Sequence, residues 1–254
     1  MKFIRYSHQC RTGWAVLDGE TVRPLEKAPW LGLTPQGDAL PLSDVRMRAP
    51  VAPGKIVATG NNYRDHALEM WDQTPKEPVL FFKPITAIND PEGAIVYPRL
   101  SQRVDYEGEL AFVVRRIAKH VKAEEADDYI FGYTCLNDVT ARDLQKKDIQ
   151  WTRSKGFDGF APVGPWLVTD IDASNLPITT RVNGTVVQSD STSRMLWTIQ
   201  ELLAFISSCM TLLPGDLVST GTPAGIGPLA PGDSVEVDIG GIGVLRNYVI
   251  EEKR

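Results

Sequence analysis

The stretch Asp105-Tyr-Glu-Gly-Glu-Leu-Ala-Phe-Val-Val114 decides the fold, because it is typical of one strand with apolar side chains on both faces. Side chains alternate between the two faces of a strand, so Glu107 and Glu109 share one face and lie ~7 Å apart along the chain. The residues that follow are all apolar, with Ala111 and Val113 on that face and Leu110, Phe112 and Val114 on the other. The pattern predicts a strand buried on both sides with two carboxylates at one end.

Glu107 and Glu109 repel each other if the strand is buried. At an effective dielectric constant near 20 the repulsion is about 2–3 kcal/mol, and a bound divalent cation would remove that cost. The alternative is a solvated acidic pair at a strand end, which is the usual state of charged residues.

Asp138 is a candidate third carboxylate, because it abruptly ends the apolar run that starts at Phe131. Together with Glu107 and Glu109 it would form an all-oxygen set that suits Mg²⁺ or Mn²⁺ rather than zinc. The alternative for Asp138 is a capping role beside a helix that begins near Thr140, itself a possible N-cap.

The composition argues against several partners and locations. The 254 residues are 43% hydrophobic, which predicts a globular chain. The net charge of −5 would repel phosphates, so no nucleic-acid partner is expected. Cys10, Cys135 and Cys209 are far apart, which favours reduced thiols and a cytoplasmic location. The N-terminus does not have the pattern of a secretory signal, and the apolar stretch Leu202–Leu213 is too short and polar to span a membrane.

The order of strand and helix patterns predicts a β-rich α+β fold with sheets packed on each other. Residues 1–50 are expected to form a small β-rich domain, and residues 54–254 a catalytic domain, separated by the proline-rich segment Arg48–Gly54. Asn183-Gly184 predicts a hairpin. The expected strands are Lys55–Thr59, Val79–Phe82, Tyr106–Val114, Ile130–Leu136, Trp166–Val168, Thr180–Val182, Thr185–Gln188, Leu217–Thr220, Ser234–Ile239 and Gly243–Ile250, and the expected helices are Tyr63–Met70, Ala123–Tyr129, Ala141–Lys147 and Thr198–Ser208.

His66 and Glu69 are three residues apart on the expected helix Tyr63–Met70, so their side chains are neighbours on one face. A carboxylate beside an imidazole orients the ring and raises its basicity. A short helix between a Gly-Asn-Asn turn and two prolines is also suited to be a mobile lid. The alternative for His66 and Glu69 is an exposed surface ion pair.

Two loops carry further candidates. Lys155 lies among glycines and aromatic residues, which favours a tight loop that directs the lysine inward, although a solvated lysine is the usual alternative. The glycine-rich segment Ser219–Pro228, which contains Gly221 and Thr222, could hold a carboxylate with its backbone N–H groups, or could be an ordinary turn.

Seven segments in this order resemble the fumarylacetoacetate hydrolase family. They are GNNYRDHALEM, PVLFFKP, DYEGELAFVV, YIFGYTCLNDVTARDLQ, WTRSKGFDGFAPVGPWLV, VNG and LVSTGTPAGIG, and they span about residues 54–245. The chain is similar in particular to small single-unit members, namely acylpyruvate hydrolases, oxaloacetate decarboxylases and the decarboxylases and isomerases of homoprotocatechuate breakdown. The resemblance implies a mixed β-sandwich roll and a homodimer.

The resemblance also implies roles for particular residues. Glu107, Glu109 and Asp138 match metal ligands, for Mg²⁺ or Mn²⁺. His66 and Glu69 match a lid pair that activates water, and Lys155 matches a lysine that contacts the substrate and its developing negative charge. The positions expected near the bound substrate are Arg142, Gln145, Gly221 and Thr222.

From these parts the sequence predicts metal-dependent cleavage of a C–C bond in a small anionic 2-oxo acid through a metal-held enolate. The reaction would be hydrolysis of an acylpyruvate, with His66 taking a proton from water, or decarboxylation of an oxaloacetate-like acid. An isomerase or tautomerase that acts on a 2-hydroxy-diene or 2-oxo diacid is an alternative, because one scaffold can support all three outcomes. A non-catalytic metal- or sugar-binding β module is a rival from another class, and an inverting glycosidase that uses Glu107 is a further one.

Overall fold

The computed structural model describes residues 1–71 and 73–253. Its strands are β1 (Lys2–His8), β2 (Arg11–Asp18), β3 (Thr21–Leu25), β4 (Leu40–Pro41), β5 (Arg46–Arg48), β6 (Ile56–Gly60), β7 (Val79–Lys83), β8 (Ile88–Asn89), β9 (Ala94–Tyr97), β10 (Val104–Tyr106), β11 (Gly108–Val114), β12 (Ile130–Asn137), β13 (Thr140–Ala141), β14 (Ala161–Val168), β15 (Pro177–Val182), β16 (Thr185–Ser191), β17 (Leu217–Ser219), β18 (Gly227–Leu229), β19 (Ser234–Ile239) and β20 (Gly243–Glu251). The α-helices are α1 (Arg64–Trp71), α2 (Arg142–Lys147), α3 (Thr152–Lys155) and α4 (Ile199–Cys209). Short 3₁₀-helices are formed by Pro29–Leu31, Leu42–Asp44, Ile85–Ala87, Ala123–Tyr129, Ala173–Asn175 and Thr192–Arg194.

The strands form three sheets, which confirms the predicted β-rich fold. The largest has the order β4-β3-β2-β1-β14-β12-β11-β17-β6-β7, with β5 paired to β1 and β8 paired to β14. A five-stranded sheet has the order β16-β15-β19-β20-β9, and a three-stranded sheet the order β13-β10-β18. In the hairpin between β15 and β16, Asn183 and Gly184 both have positive φ angles, of 52° and 80°, as expected for this dipeptide.

β11 lies inside the largest sheet, and all seven of its residues are buried. Leu110, Phe112 and Val114 pack in one core with α4 and with β15 and β19 of the five-stranded sheet. Ala111 and Val113 point into a second core on the opposite face, which β6, β14 and β17 also line. The predicted strand with two apolar faces is therefore confirmed. Its polar end is interrupted at Glu107, which lies between β10 and β11.

The first 50 residues extend the largest sheet. β1 pairs with β14 in antiparallel register, with Lys2 opposite Val168 and Phe3 opposite Leu167. One face of β1 packs in a small core with residues of β2 and β3. A separate domain over residues 1–50 stays a prediction. Among the described residues, no helix has the length and hydropathy needed to cross a membrane.

Local expectations differ from the structure at two places. Thr140 is not the N-cap of α2, because it belongs to β13, which pairs with β10, and its hydroxyl donates to the Asp138 carbonyl at 2.8 Å. The N-cap residue is Ala141 instead. The strand expected at Trp166–Val168 begins earlier, at Ala161, in spite of two prolines.

Candidate metal and acid–base site

Three carboxylates converge where β10, β11 and β12 meet. β11 and β12 are antiparallel with Gly108 opposite Asn137, so Glu107 and Glu109 lie beside Asp138. One oxygen atom of each carboxylate lies within 4.8 Å of the other two. The three side chains are buried. The alternative that Glu107 and Glu109 are a solvated acidic pair is therefore wrong. We call Glu107, Glu109 and Asp138 the acidic cluster.

Two carboxylates of the acidic cluster have cationic partners. The Lys155 ammonium donates to Glu107 at 2.7 Å and to Asp138 at 2.6 Å. Arg142 also donates to Glu107, and Lys83 donates to Asp138 at 2.5 Å. Burial opposes ionisation of Glu107, but the charges of Lys155 and Arg142 outweigh it and lower the pKa of this carboxyl.

Glu109 has a different environment. Its carboxylate accepts hydrogen bonds from two neutral donors, the Ser219 hydroxyl and the Gly221 N–H at 2.9 Å. Burial, followed by the negative charges of Asp138 and Glu107, raises the pKa of Glu109 well above its ordinary value. A buried carboxylate in this position is stabilised as an anion by a cation placed between it and its neighbours.

The residues present fit a divalent metal ion. Among the described residues, Lys83, Lys155 and Arg142 pair with Glu107 and Asp138, and Glu109 alone of the acidic cluster has no cationic partner. The donor atoms are all oxygen, which suits Mg²⁺ or Mn²⁺. The space enclosed beside the cluster has a volume of about 20 Å³, which is room for about one ion or water molecule.

His66 and Glu69 lie on α1, as predicted, and His66 lines the same cavity. The Nδ1 atom of His66 is 3.2 Å from a Glu69 oxygen. His66 is only 5% exposed whereas Glu69 lies at the surface, so the alternative of an exposed surface ion pair is wrong for the histidine. The Gly225 N–H lies 3.3 Å from both Glu69 oxygens and holds the carboxylate in place.

Asn62 fixes the start of α1. Its side-chain amide donates to the carbonyls of Trp197 at 3.1 Å and Thr220 at 2.8 Å, and its Oδ1 atom accepts the Trp197 N–H. Because Thr220 adjoins the two residues that hold Glu109, the helix that carries His66 is tied to the same segment as the acidic cluster.

The other predicted site residues lie around the cluster. Lys155 is 2% exposed, which confirms its inward direction and makes the solvated alternative wrong. Burial works to lower the pKa of Lys155, but the charges of Asp138 and Glu107 raise it. Gln145 accepts from Arg142 at 2.6 Å. Thr222 donates to the Gly108 carbonyl at 2.9 Å. The substrate contacts of Arg142, Gln145, Gly221 and Thr222 stay predictions.

Sequence reasoning missed three residues that touch the site. Lys83 ends the apolar strand β7 next to a proline, and a charge that ends an apolar run is the same signal that marked Asp138. Asp105 is 0% exposed and accepts from Arg142 Nε at 2.9 Å, so it helps to hold the guanidinium beside Glu107. Ser219 begins the glycine-rich segment that was expected to hold a carboxylate, but its own side chain was not singled out, because its contact with Glu109 joins residues 110 positions apart.

The cavity has one apolar wall and one unpaired hydroxyl. Phe81 and Trp151 line it and meet edge to face at 5.2 Å between ring centroids. The Thr59 hydroxyl is buried in the same lining and has no hydrogen-bond partner among the described residues. A larger cavity of about 670 Å³, near Phe131 and Met195, includes no residue of the acidic cluster.

Comparison with known proteins identifies the family. A family profile described as Fumarylacetoacetate (FAA) hydrolase C-terminal matches residues 55–250, and one described as Rv2993c-like, N-terminal matches residues 1–50. The human oxaloacetate tautomerase FAHD2A, mitochondrial, is 42% identical over 231 residues, which cover 86% of this chain and 74% of that protein. The crystal structure of 2-hydroxyhepta-2,4-diene-1,7-dioate isomerase from Mycobacterium marinum is 44% identical, with a TM-score of 0.92 and 100% of both chains covered.

A third similar protein was solved with ligands. The structure of maleylpyruvate hydrolase from Sphingobium sp. SYK-6, in complex with manganese(II) ion and pyruvate, is 27% identical, with a TM-score of 0.82 and 100% of both chains covered. The resemblance drawn from the sequence motifs is thus confirmed, and the chain belongs to the fumarylacetoacetate hydrolase family.

Proposed function

We propose that this protein is a divalent-metal-dependent isomerase that acts on a small 2-oxo diacid. By proton transfer it would interconvert the keto and enol forms of the acid, or its double-bond isomers. The observation that carries the proposal is the acidic cluster, with Lys155 and His66 lining one cavity beside it. The tautomerase and isomerase at 42% and 44% identity support proton transfer as the reaction, in preference to the cleavage that the sequence alone favoured.

The acidic cluster would hold Mg²⁺ or Mn²⁺. When bound, the metal ion supplies positive charge that polarises the substrate's carbonyl and carboxylate oxygens. The ammonium of Lys155 is placed to stabilise the negative charge that develops on the carbonyl oxygen as an enolate forms. Arg142, held by Asp105 and Gln145, supplies a second fixed cation for a carboxylate of the diacid.

His66 would carry the proton. With Nδ1 directed at Glu69, the Nε2 atom is left as the base that removes a proton from the carbon next to the carbonyl. The electron pair of that C–H bond forms a C=C bond, the π pair of the carbonyl moves to its oxygen, and the proton returns to oxygen or to a more distant carbon of a conjugated chain. Glu69 stabilises the imidazolium while it holds the proton.

Hydrolytic C–C cleavage is the second candidate, and the His66–Glu69 pair is the observation that favours it. A histidine oriented by a carboxylate can equally take a proton from water, which would then attack a distal carbonyl. The manganese-containing hydrolase at 27% identity supports this candidate. A homodimer that acts in the cytoplasm on small anionic acids completes the proposal.

One assay tests the reaction. Oxaloacetate, an acylpyruvate and a 2-hydroxy-diene diacid are each incubated with the protein and Mg²⁺ or Mn²⁺, enol absorbance is followed, and pyruvate and CO₂ are quantified. Accelerated interconversion without loss of carbon is expected, and chelation or Glu109→Gln should abolish it. Release of pyruvate from acylpyruvates or oxaloacetate would indicate cleavage instead. Tight metal binding with no turnover of any of these acids would leave a non-catalytic metal-binding module.

A further inference from the structure

Gln188, on β16, is a buried amide that joins two segments of the acidic cluster's surroundings. Its Oε1 atom accepts the Gly108 N–H at 3.0 Å. Its Nε2 atom donates to the Thr222 hydroxyl and to the Pro223 carbonyl, both at 2.8 Å. Gln188 is 2% exposed, and these three bonds satisfy both N–H donors and one lone pair of its buried amide.

Both segments bear directly on the acidic cluster. Gly108 lies between Glu107 and Glu109, and Thr222 adjoins Gly221, whose N–H donates to Glu109. The Thr222 hydroxyl also donates to the Gly108 carbonyl at 2.9 Å. Gln188 therefore closes a ring of hydrogen bonds around the backbone that sets the position of Glu109.

β15 and β16 lie so close to the backbone of the site that two of its glycines have no room for a Cβ atom. A Cβ atom on Gly108 would lie 2.1 Å from the Thr180 hydroxyl and 3.3 Å from Gln188 Oε1. One on Gly225, which holds Glu69, would lie 2.5 Å from the Val187 carbonyl. The hairpin that carries Gln188 is thus packed directly on the backbone of both the acidic cluster and the Glu69 support.

We propose that Gln188 is a positioning residue for metal binding: it fixes the carboxylate of Glu109 relative to Glu107 through Gly108 and Thr222. The inference rests on the metal site of the proposed function. Gln188 holds backbone that in turn holds a ligand, and outer groups of this kind typically change metal affinity 10- to 100-fold.

Gln188→Met removes the amide and keeps the length of the side chain. Asn247→Leu is the matched control, because Asn247 is 1% exposed and its amide also donates to two carbonyls, those of Asp90 at 2.9 Å and Gly93 at 3.0 Å, away from the acidic cluster. Mn²⁺ binding to the full chain is titrated by electron paramagnetic resonance, and thermal unfolding is recorded in chelator.

We expect Mn²⁺ to bind Gln188→Met about 10- to 100-fold more weakly than the wild type, and Asn247→Leu to bind like the wild type. If Gln188→Met does not fold, Thr222→Val removes the opposite side of the ring and should weaken binding in the same direction. Equal affinity in the wild type and the Gln188 or Thr222 variant would overturn the inference and leave the proposed function intact. Equal weakening in the Asn247 control would assign the effect to general destabilisation and also overturn it. No Mn²⁺ binding by the wild type would overturn both.

Discussion

The two ends of β11 lie in the same strand at the same depth, but their side chains meet different surroundings. Glu109, near the start, is 1% exposed and faces two other buried carboxylates. Phe112, three residues later, is 0% exposed and lies in an apolar core. Burial of the phenylalanine side chain stabilises the fold by about 1.5–3 kcal/mol, whereas a buried carboxylate without a cation is unfavourable.

The difference separates the two tasks of the strand. Its apolar end holds the sheets together, and its acidic end concentrates negative charge that only a bound cation can balance fully. Strongly perturbed pKa values in a cavity are typical of functional sites, and Glu109 has such a value for a stated cause. A substitution at the acidic end should therefore reduce activity and spare stability. A substitution at the apolar end should reduce stability and spare metal binding.

Glu109→Gln should have the largest effect on activity, a loss of about 1,000-fold or more in kcat/KM. The amide cannot balance a divalent cation, so metal-dependent stabilisation of the enolate is lost. Without metal the same variant should be at least as stable as the wild type, because it replaces a carboxyl whose ionised form is disfavoured by burial and by the charges of Asp138 and Glu107. Steady-state kinetics with Mn²⁺ and thermal unfolding in chelator measure the two quantities. Activity within tenfold of the wild type would contradict the assignment of Glu109.

Phe112→Ala should show the reverse pattern. Removal of this buried ring leaves a cavity, and a loss of about 3–5 kcal/mol in the free energy of unfolding is expected. Protein that remains folded should bind Mn²⁺ with nearly unchanged affinity. Urea denaturation and a metal titration on the same preparation check both parts. A selective loss of metal affinity would show that the two ends of β11 are not independent.

Metal addition should stabilise the wild type more than Glu109→Gln. An ion that binds only the folded chain adds about 2.7 kcal/mol at a concentration 100 times its dissociation constant. The melting temperature of the wild type should therefore rise with Mn²⁺ concentration, and that of Glu109→Gln should rise much less. Equal shifts in the two proteins would place the binding site elsewhere.

Tyr133, opposite Phe112 on β12, should give the smallest effect, and only in alkali. Burial, with smaller contributions from Asp127 and Asp172, raises the pKa of Tyr133 to about 12. The neutral phenol is favoured in the folded chain, so its contribution is fully present below pH ~10 and is lost as the pH rises toward ~12. The expected loss is about 2 kcal/mol. Tyr133→Phe should flatten this part of the pH–stability curve, measured by urea denaturation from pH 8 to 11.5; an unchanged slope would contradict the prediction.

The sequence was informative where local pattern determines structure. Alternation alone predicted which side chains of β11 share a face, and the aromatic and glycine setting of Lys155 predicted its inward direction. It was misleading at Thr140, because pairing of β13 with β10 overrides a local capping preference. Ser219 and Gln188 reach the site through contacts between distant strands, which no local pattern encodes.

The reaction was the least determined part of the prediction. Cleavage and isomerisation need the same carboxylates, the same lysine and the same histidine, so residue types cannot separate them. The distinction depends on whether water or only a proton reaches the substrate beside His66, which the assays of substrate carbon and enol absorbance measure directly.

If Glu107, Glu109 and Asp138 bind one divalent cation, the position of that ion can be measured. Crystals of the protein grown with Mn²⁺ and measured at the manganese absorption edge test this assignment most directly. A single strong anomalous peak per chain is expected, within coordination distance of an oxygen atom from each of the three carboxylates. A peak at another place, or no peak in crystals saturated with Mn²⁺, would contradict it.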